Sequence, residues 1–197
     1  MANEGVVAKG IARREEILEI ALDVFARSGY RGTSLREVAE IAGLTQAGLL
    51  HHFGTRENLL VEVLRRKEQL GREEHPDVAG TPYGLSAALR NNTSTPGLVE
   101  LHSVLATQAA DESHPAHEYF TERYANMRAR LSADLRRRAS AGEFDSRIDP
   151  DRLATILVAL ADGLQVQWML DGSIDMSAHF DELLGLLRAD TAGPPVA

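Results

Sequence analysis

The chain has 197 residues, of which 44% are hydrophobic and 25% charged, values typical of a globular protein and not of a disordered or fibrous one. It contains no cysteine, which excludes disulfides and thiol nucleophiles and indicates a cytoplasmic protein. A formal net charge of −8 argues against a uniformly basic surface for nucleic acids. Residues 1–10 lack the apolar run of a secretory signal, and the longest uncharged stretch, residues 41–55, is too short and polar to span a bilayer. We therefore expect no membrane partner.

The first third of the chain predicts four helices. Apolar residues recur at steps of three and four, as on one face of a helix, and Ser, Thr or Gly stands where each helix begins or ends. The expected helices cover about residues 9–28, 35–42, 46–51 and 55–70, the last connecting to the rest of the chain. Residues 35–53 thus have the layout of a helix-turn-helix, with its turn at Gly43.

The remaining two thirds also predict only helices. Residues 71–82 are rich in Gly, Pro and charge and read as a linker. Beyond them, apolar periodicity predicts helices near residues 83–92, 97–111, 116–141, 151–170 and 177–189, followed by a frayed tail from Thr191 to Ala197. No segment alternates with the period of a strand. The predicted fold class is all-α.

The second helix of the helix-turn-helix has the composition of a DNA-reading helix. Its large apolar residues, Leu44, Leu49 and Phe53, are expected to face the core, which leaves small and polar residues outside. Small side chains let a helix approach the major groove, Gln46 can bond an adenine edge, and Ser, Thr and helix-start amides can bond phosphates. The residues expected to contact DNA are Thr33, Ser34, Arg36, Thr45, Gln46, Ala47, Gly48, Leu50, His51, His52 and Arg56.

Charge is distributed unevenly along the chain. Residues 1–56 contain seven basic and seven acidic side chains, and the remainder accounts for the whole net charge of −8. The reading helix has no Lys or Arg, so its phosphate contacts must come from neighbouring cations. The candidates are Lys9, Arg13, Arg14, Arg31, Arg36 and Arg56. So few cations indicate weak binding by one copy and favour two. This pattern alone fits a helical protein that never contacts DNA equally well.

Residues 17–60 resemble the DNA-binding region of TetR-family transcriptional regulators. The shared pattern runs in order from an aromatic residue near the end of the first helix to a capped fourth helix. The matching residues are Phe25, Gly29-Tyr30, Thr33-Ser34, Val38-Ala39, Ala42-Gly43-Leu44-Thr45, His51-His52-Phe53 and Thr55-Arg56-Glu57. One position departs from the pattern: members often have a phosphate-contacting Tyr where this chain has Leu50, which either packs or touches a thymine methyl.

The resemblance implies a two-domain, all-α homodimer that binds double-stranded operator DNA. Residues 1–56 would form the DNA-binding domain, and residues 57–197 a domain for dimerisation and for an unknown small-molecule effector. The expected function is a repressor released from a palindromic operator by that effector, with an activator of the same fold as the alternative. Residues 161–176 are also similar to the C-terminal domain of the choline-responsive-type subgroup, which does not by itself imply choline.

Two sets of residues are candidates for the effector pocket and the dimer interface. The pocket is predicted from polar or bulky side chains on otherwise apolar helices, each of which by itself also fits an ordinary core residue. These residues are His102, Gln108, Tyr124, Met127, Gln165 and Trp168. The last two helices are apolar over more than one face, which favours dimerisation over burial within one subunit. The predicted interface comprises Leu153, Leu157, Leu160, Leu164, Phe180, Leu183, Leu184 and Leu187.

Other functions have weaker support in the sequence. His114, His117 and Glu118 have spacing that could hold a metal, but loop and helix-cap roles fit them better. The basic run at residues 136–138 reads as a solvated helix face. No nucleophile–base pair, metal cluster or phosphate loop is evident, so we predict no catalytic residue, no metal and no cofactor. A helical adaptor that uses the three-helix unit for protein contacts remains the other alternative.

Overall fold

The computed structural model describes residues 2–145 and 147–188, and these residues form nine helices. Their bounds are α1 Ala2–Gly32, α2 Leu35–Ile41, α3 Gln46–Phe53, α4 Arg56–Glu74, α5 Pro82–Asn92, α6 Pro96–Gln108, α7 His117–Ser140, α8 Pro150–Leu170 and α9 Met176–Leu186. The nine predicted helices and the all-α class are confirmed, with α1 beginning earlier and ending later than expected. The expected frayed tail, residues 191–197, lies outside the described residues.

Residues that were predicted to begin or end the first helices do so in the structure. Gly29 has φ 70° and ψ −176°, a left-handed conformation that breaks the regular helix near the end of α1. Ser34 Oγ accepts a hydrogen bond from the Glu37 N–H at 3.1 Å, and Thr45 Oγ1 accepts one from the Gly48 N–H at 3.0 Å. These side chains satisfy backbone donors that have no partner within a helix, so short helices of seven and eight residues begin at defined positions.

The chain divides into two compact units, and the first contains the helix-turn-helix. Unit 1 comprises the residues up to Glu74 together with Ser94–Phe120. In it α1 packs against α2, α4 and α6, while α3 packs against α2 and α4. Its core residues include Ile17, Ala21, Val24, Phe25, Val38, Leu49, Leu59, Leu60 and Leu101. The compact unit therefore includes α6, which lies outside the segment 1–56 predicted to bind DNA; that functional boundary stays a prediction.

Unit 2 comprises His75–Thr93 and the residues from Thr121 onward. In it α5, α8 and α9 pack on one another around a single apolar cluster. The cluster includes Leu89, Leu131, Leu135, Phe144, Leu153, Leu157, Leu164, Phe180 and Leu184. Pro82 and Pro150 stand in the first turn of their helices, where a missing N–H costs nothing.

Helix α8 is long and apolar enough to cross a bilayer by length and composition, and it is the one such helix in the part of the chain that the structure describes. This is weak evidence for a membrane span, because the central helix of a folded domain has the same composition. Its side chains Leu153, Ala154, Leu157 and Leu164 are buried in the core of unit 2. The apolar character of α8 therefore has an explanation within the fold.

Candidate DNA interface and effector site

Helix α3 presents to solvent the residues predicted to read DNA. Leu49 and Phe53 are buried in unit 1, as predicted, while Leu44 is half-buried. The opposite side of the helix consists of small or polar residues. Thr45, Gln46, Ala47 and His51 are exposed, and Gly48, Leu50 and His52 are half-buried.

Contacts from α1 hold the helix-turn-helix in place. The Arg14 guanidinium lies 4.8 Å above the centroid of the Phe53 ring, and its Nη2 is 3.1 Å from Glu62 Oε2. Arg13 donates to the Ala42 carbonyl oxygen in the turn before α3. Both arginines are candidate phosphate contacts from the sequence, and in the structure each of them also makes contacts within unit 1. The signal was available in the sequence, because they precede Ile17 by four and three residues and so share its buried face.

The two residues before α2 differ in accessibility. Ser34 is exposed and caps α2. Thr33 is only 6% exposed, and its Oγ1 is buried without a hydrogen-bond partner. Neighbouring atoms cover the Thr33 hydroxyl in this conformation, and its contact with phosphate stays a prediction.

The remaining cations near α3 are arranged on the surface of unit 1. Arg36 is exposed and its Nε lies 2.7 Å from Glu40 Oε1, a hydrogen bond that raises the pKa of the guanidinium. Arg56 is half-buried at the start of α4, and its Nη1 donates to the Tyr30 hydroxyl at 3.1 Å. Neither contact uses all five N–H donors of an arginine, so Arg36 and Arg56 can still bind phosphate oxygens.

The residues predicted to line the effector pocket lie in different units. His102 and Gln108 belong to unit 1, where His102 is buried with its ring centroid 5.4 Å from that of Phe120, and Gln108 is exposed at the end of α6. The other four belong to unit 2. Met127 and Trp168 are partly buried against its core cluster.

Two polar pairs interrupt the apolar core of unit 2. The Tyr124 hydroxyl donates to Asp162 Oδ2 at 2.6 Å, and burial raises the pKa of both groups above their usual values. The Gln165 side chain accepts a hydrogen bond from Asn92 at 3.1 Å and donates to the Ala161 carbonyl oxygen at 3.2 Å. Sequence reasoning missed Asp162, although a carboxylate within the apolar run of α8 is itself a signal.

The residues predicted to form the dimer interface face inward. Leu153, Leu157, Leu164, Phe180 and Leu184 are buried within the subunit, and their contribution to a dimer interface stays a prediction. The other three, Leu160, Leu183 and Leu187, are partly buried against the same cluster. The exposed large apolar residues of α8 and α9 are instead Ile156, Val166, Met169, Leu170 and Leu186.

His114 and His117, whose spacing could hold a metal, make hydrogen bonds to the backbone near the start of α7. The His114 Nδ1 accepts from the Ala116 N–H at 3.2 Å, and the His117 ring shares a hydrogen bond of 2.8 Å with the Ala109 carbonyl oxygen. Within the described ranges, no group of three or more His, Asp or Glu side chains could hold a metal ion.

Comparisons with known proteins agree with this architecture. Residues 17–63 match the family described as bacterial regulatory proteins, tetR family, and residues 85–187 match the C-terminal domain of BetI-type transcriptional repressors. The HTH-type transcriptional repressor KstR2 of Rhodococcus jostii is 28% identical over 92% of each chain.

Two solved structures resemble most of the chain. A TetR-family transcriptional regulator from Rhodococcus sp. has a TM-score of 0.69 and 22% identity over 89% of this chain and 98% of its own. A transcriptional regulator from Saccharomonospora viridis, solved in complex with choline, has a TM-score of 0.64 and 27% identity over 87% and 93%. This chain belongs to the TetR family of DNA-binding transcriptional regulators, and it is not an enzyme.

Proposed function

We propose that this regulator represses transcription as a homodimer on a palindromic operator and leaves it when a small molecule binds unit 2. The observation that carries the proposal is α3, which buries Leu49 and Phe53 while exposing Gln46 and Ala47 at its capped N-terminus. An exposed amide beside a small side chain can reach the edge of a base in the major groove. The similarity to KstR2, itself a repressor, favours repression over activation.

The proposed contacts to the DNA backbone surround α3. Ser34 and the amides at the start of α2 suit a phosphate oxygen, since a helix N-terminus attracts anions. Arg36 and Arg56 add the positive charge that α3 lacks. Unit 1 therefore combines sequence-reading groups on one helix with phosphate-binding groups on its neighbours, a division of roles that specific DNA binding requires.

A second copy of the chain is the proposed occupant of the exposed apolar face of unit 2. Helical geometry of 100° per residue places Ile156, Val166 and Leu170 within a quarter-turn arc on α8, together with the small residues Ala159 and Gly163. Leu186 of α9 adds a side chain that is 78% exposed. Small residues between large ones let two helices approach closely. A two-fold contact would also present two identical reading helices, which is why a palindromic operator is expected.

The dimer is tested by light scattering coupled to size exclusion. The wild type should have about twice the subunit mass of 21.5 kDa, and Ile156→Glu should yield folded monomers. The matched control is Ile41→Glu in unit 1, because Ile41 is 54% exposed and Ile156 is 56% exposed. A dimer that tolerates Ile156→Glu as well as Ile41→Glu contradicts the proposed face.

The effector is proposed to bind beside the polar groups inside unit 2. Tyr124, Met127 and Trp168 combine apolar walls with a hydroxyl, as small-molecule sites do. Trp168 is the single tryptophan, so its fluorescence reports on one place. Choline is the first compound to titrate, because the similar Saccharomonospora viridis regulator was solved with it. A compound that releases DNA should change the Trp168 emission over the same concentration range, since both report one linked equilibrium.

Operator binding is tested by a gel shift with the DNA upstream of the regulator's own gene, followed by footprinting. A protected sequence with two-fold symmetry is expected, and a reporter under that promoter should become more active when the regulator is deleted. A reporter that instead loses activity would support the activator. A regulator that binds operator DNA is expected to be cytoplasmic, because the operator is in the cytoplasm.

A further inference from the structure

Tyr30 lies between the proposed phosphate contact Arg56 and a carboxylate of α6. Its hydroxyl accepts a hydrogen bond from Arg56 Nη1 at 3.1 Å, and Arg56 Cζ lies 4.7 Å from the centroid of its ring. Its backbone N–H donates to Glu100 Oε2 at 3.1 Å. Glu100, which is 70 positions away in the chain, therefore holds the Tyr30 backbone. Arg56, which is 26 positions away, contacts the Tyr30 side chain.

Glu100 reaches the Tyr30 backbone because the end of α1 and the start of α6 lie close together. A Cβ added at Gly29 would lie 2.1 Å from Glu100 Oε2, and one added at Gly97 would lie 2.1 Å from the carbonyl oxygen of Phe25. The end of α1 and the start of α6 thus approach so closely that only glycine fits at position 97, while Gly29, with φ 70°, has a backbone conformation that other residues rarely adopt. The close approach of the two backbones places the Glu100 carboxylate opposite the Tyr30 N–H, and Glu100 Oε1 also lies 3.8 Å from Arg31 Nε.

Arg56 benefits from an anchor because its side chain is long and flexible. Fixing such a side chain costs conformational entropy, and this cost is reduced if the side chain is ordered before DNA arrives. The Tyr30 ring and hydroxyl order the guanidinium and occupy one of its five N–H donors. The other donors remain available to a phosphate. Arg56 begins α4 three residues after α3 ends at Phe53, so its position is tied to that of the reading helix.

We propose that Tyr30 is a positioning residue for operator binding, which orients the Arg56 guanidinium toward the DNA backbone and is itself fixed by Glu100 of α6. The inference rests on the proposed phosphate contact of Arg56. It also gives α6, which lies in unit 1 but outside residues 1–56, a defined physical connection to the DNA-binding surface.

The test measures the affinity of the full chain for a duplex of about 30 base pairs with arbitrary sequence at several NaCl concentrations, because phosphate contacts do not depend on sequence. Tyr30→Phe keeps the ring and removes the hydroxyl. We expect binding about three- to tenfold weaker, with a shallower dependence of log K on log salt. Arg56→Gln should weaken binding at least as much, and Tyr30→Phe should add no further loss to Arg56→Gln.

Tyr119 provides a matched control within unit 1. Its hydroxyl donates to Glu68 at 3.0 Å and Arg65 Cζ lies 5.0 Å from its ring centroid, so it combines the same kinds of contact. Arg65 stands about 14 Å further along α4 than Arg56, at 1.5 Å per residue. Tyr119→Phe should therefore leave DNA affinity and its salt dependence unchanged.

The link to α6 is tested at Glu100. Glu100→Gln keeps an oxygen that accepts from the Tyr30 N–H and should lose less DNA affinity than Glu100→Leu. Glu100→Leu removes that acceptor and should reproduce the loss seen with Tyr30→Phe. Thermal melting of each variant establishes that it is folded before its affinity is compared.

Four outcomes would overturn the inference. If Arg56→Gln weakens binding and Tyr30→Phe does not, Arg56 contacts DNA without help from Tyr30. Tighter binding by Tyr30→Phe would mean that Tyr30 withholds Arg56 from DNA. An equal loss from Tyr30→Phe with and without Arg56 would indicate a general structural role. If Arg56→Gln has no effect on a wild-type protein that binds DNA, the proposed phosphate contact fails and the inference fails with it.

Discussion

Helices α3 and α8 both leave one face exposed, but the two faces differ in chemistry. The exposed side of α3 carries Thr45, Gln46 and His51, groups that exchange hydrogen bonds with water when no partner is present. The exposed side of α8 carries Ile156 and Leu170, which lose nothing by leaving water. A polar face suits the hydrated groove of DNA, whereas an apolar face suits another protein surface. Exposure alone therefore does not indicate the class of partner, whereas the composition of the exposed face favours one class over another.

The largest expected effect is on the free energy of unfolding, and it distinguishes the buried face of α9 from the exposed face. Leu184→Ala should lower the free energy of unfolding by about 2–5 kcal/mol, because Leu184 is buried in the cluster of unit 2 and its removal leaves a cavity. Urea denaturation should show this loss at every protein concentration, since the cavity lies within one subunit. A loss below about 1 kcal/mol would contradict the assignment of Leu184 to the core.

Leu186→Ala is the matched variant on the exposed side of the same helix. Leu186→Ala should lower the free energy of unfolding by about 1–3 kcal/mol. The loss should be seen only at protein concentrations at which the wild type is a dimer. A side chain that is covered only in the dimer stabilises the folded state through mass action. If Leu184→Ala and Leu186→Ala showed the same concentration dependence, the distinction between the two faces would be lost.

Base reading by α3 is tested with Gln46→Ala. The variant should lose about 1–3 kcal/mol per half-site at the base that Gln46 contacts, with relaxed preference there. Arg36→Ala should instead weaken binding to all sequences similarly and reduce the salt dependence, because phosphates carry no sequence information. A competition assay with single-base operator variants distinguishes these results. Unchanged preference after Gln46→Ala would mean that another side of α3 faces the DNA.

The caps of the helix-turn-helix should have a smaller effect. Thr45→Ala should cost about 1 kcal/mol of stability, because the Gly48 N–H loses its acceptor at the start of α3. Thr45→Ser keeps a hydroxyl and serves as the control. Thermal unfolding monitored by circular dichroism measures both. Equal melting temperatures for Thr45→Ala and Thr45→Ser would show that the cap contributes little.

The buried carboxylate of unit 2 should make stability depend weakly on pH. Burial raises the pKa of Asp162 in the folded state, opposed by the Tyr124 hydrogen bond and by the charge of Arg123. The folded state therefore binds the proton more tightly than the unfolded state, and this group's contribution to stability is lost as pH rises through the folded pKa. Asp162→Asn keeps an acceptor for Tyr124 and removes the ionisation.

Relative to the wild type, Asp162→Asn should consequently gain stability as the pH rises above about 4, the usual pKa of an aspartate. Urea denaturation at a series of pH values measures the difference. Asp181→Asn is the control, because Asp181 is exposed and lies 3.4 Å from Arg90. If Asp162→Asn instead lost stability as pH rose, the ionised carboxylate would be the favoured form in the core.

Much of the DNA-binding unit was predictable because its signals are local. Ser34, Thr45 and Gly29 act on backbone groups within three or four residues of themselves, so their roles follow from sequence position. The period of the apolar residues likewise predicted that Leu49 and Phe53 are buried. The nine helices of the described residues and the all-α class thus followed from the amino-acid sequence by itself.

Only the tertiary structure decided which apolar face of α8 and α9 is covered within the subunit. Periodicity marks both Leu157 and Ile156 as apolar, but the packing of α8 against its neighbouring helices determines which of them is buried. The same holds for the contact between Glu100 and Tyr30, which depends on how α6 approaches α1. Such contacts join residues far apart in the chain, and no local spacing encodes them, because they exist only when separate helices have packed together.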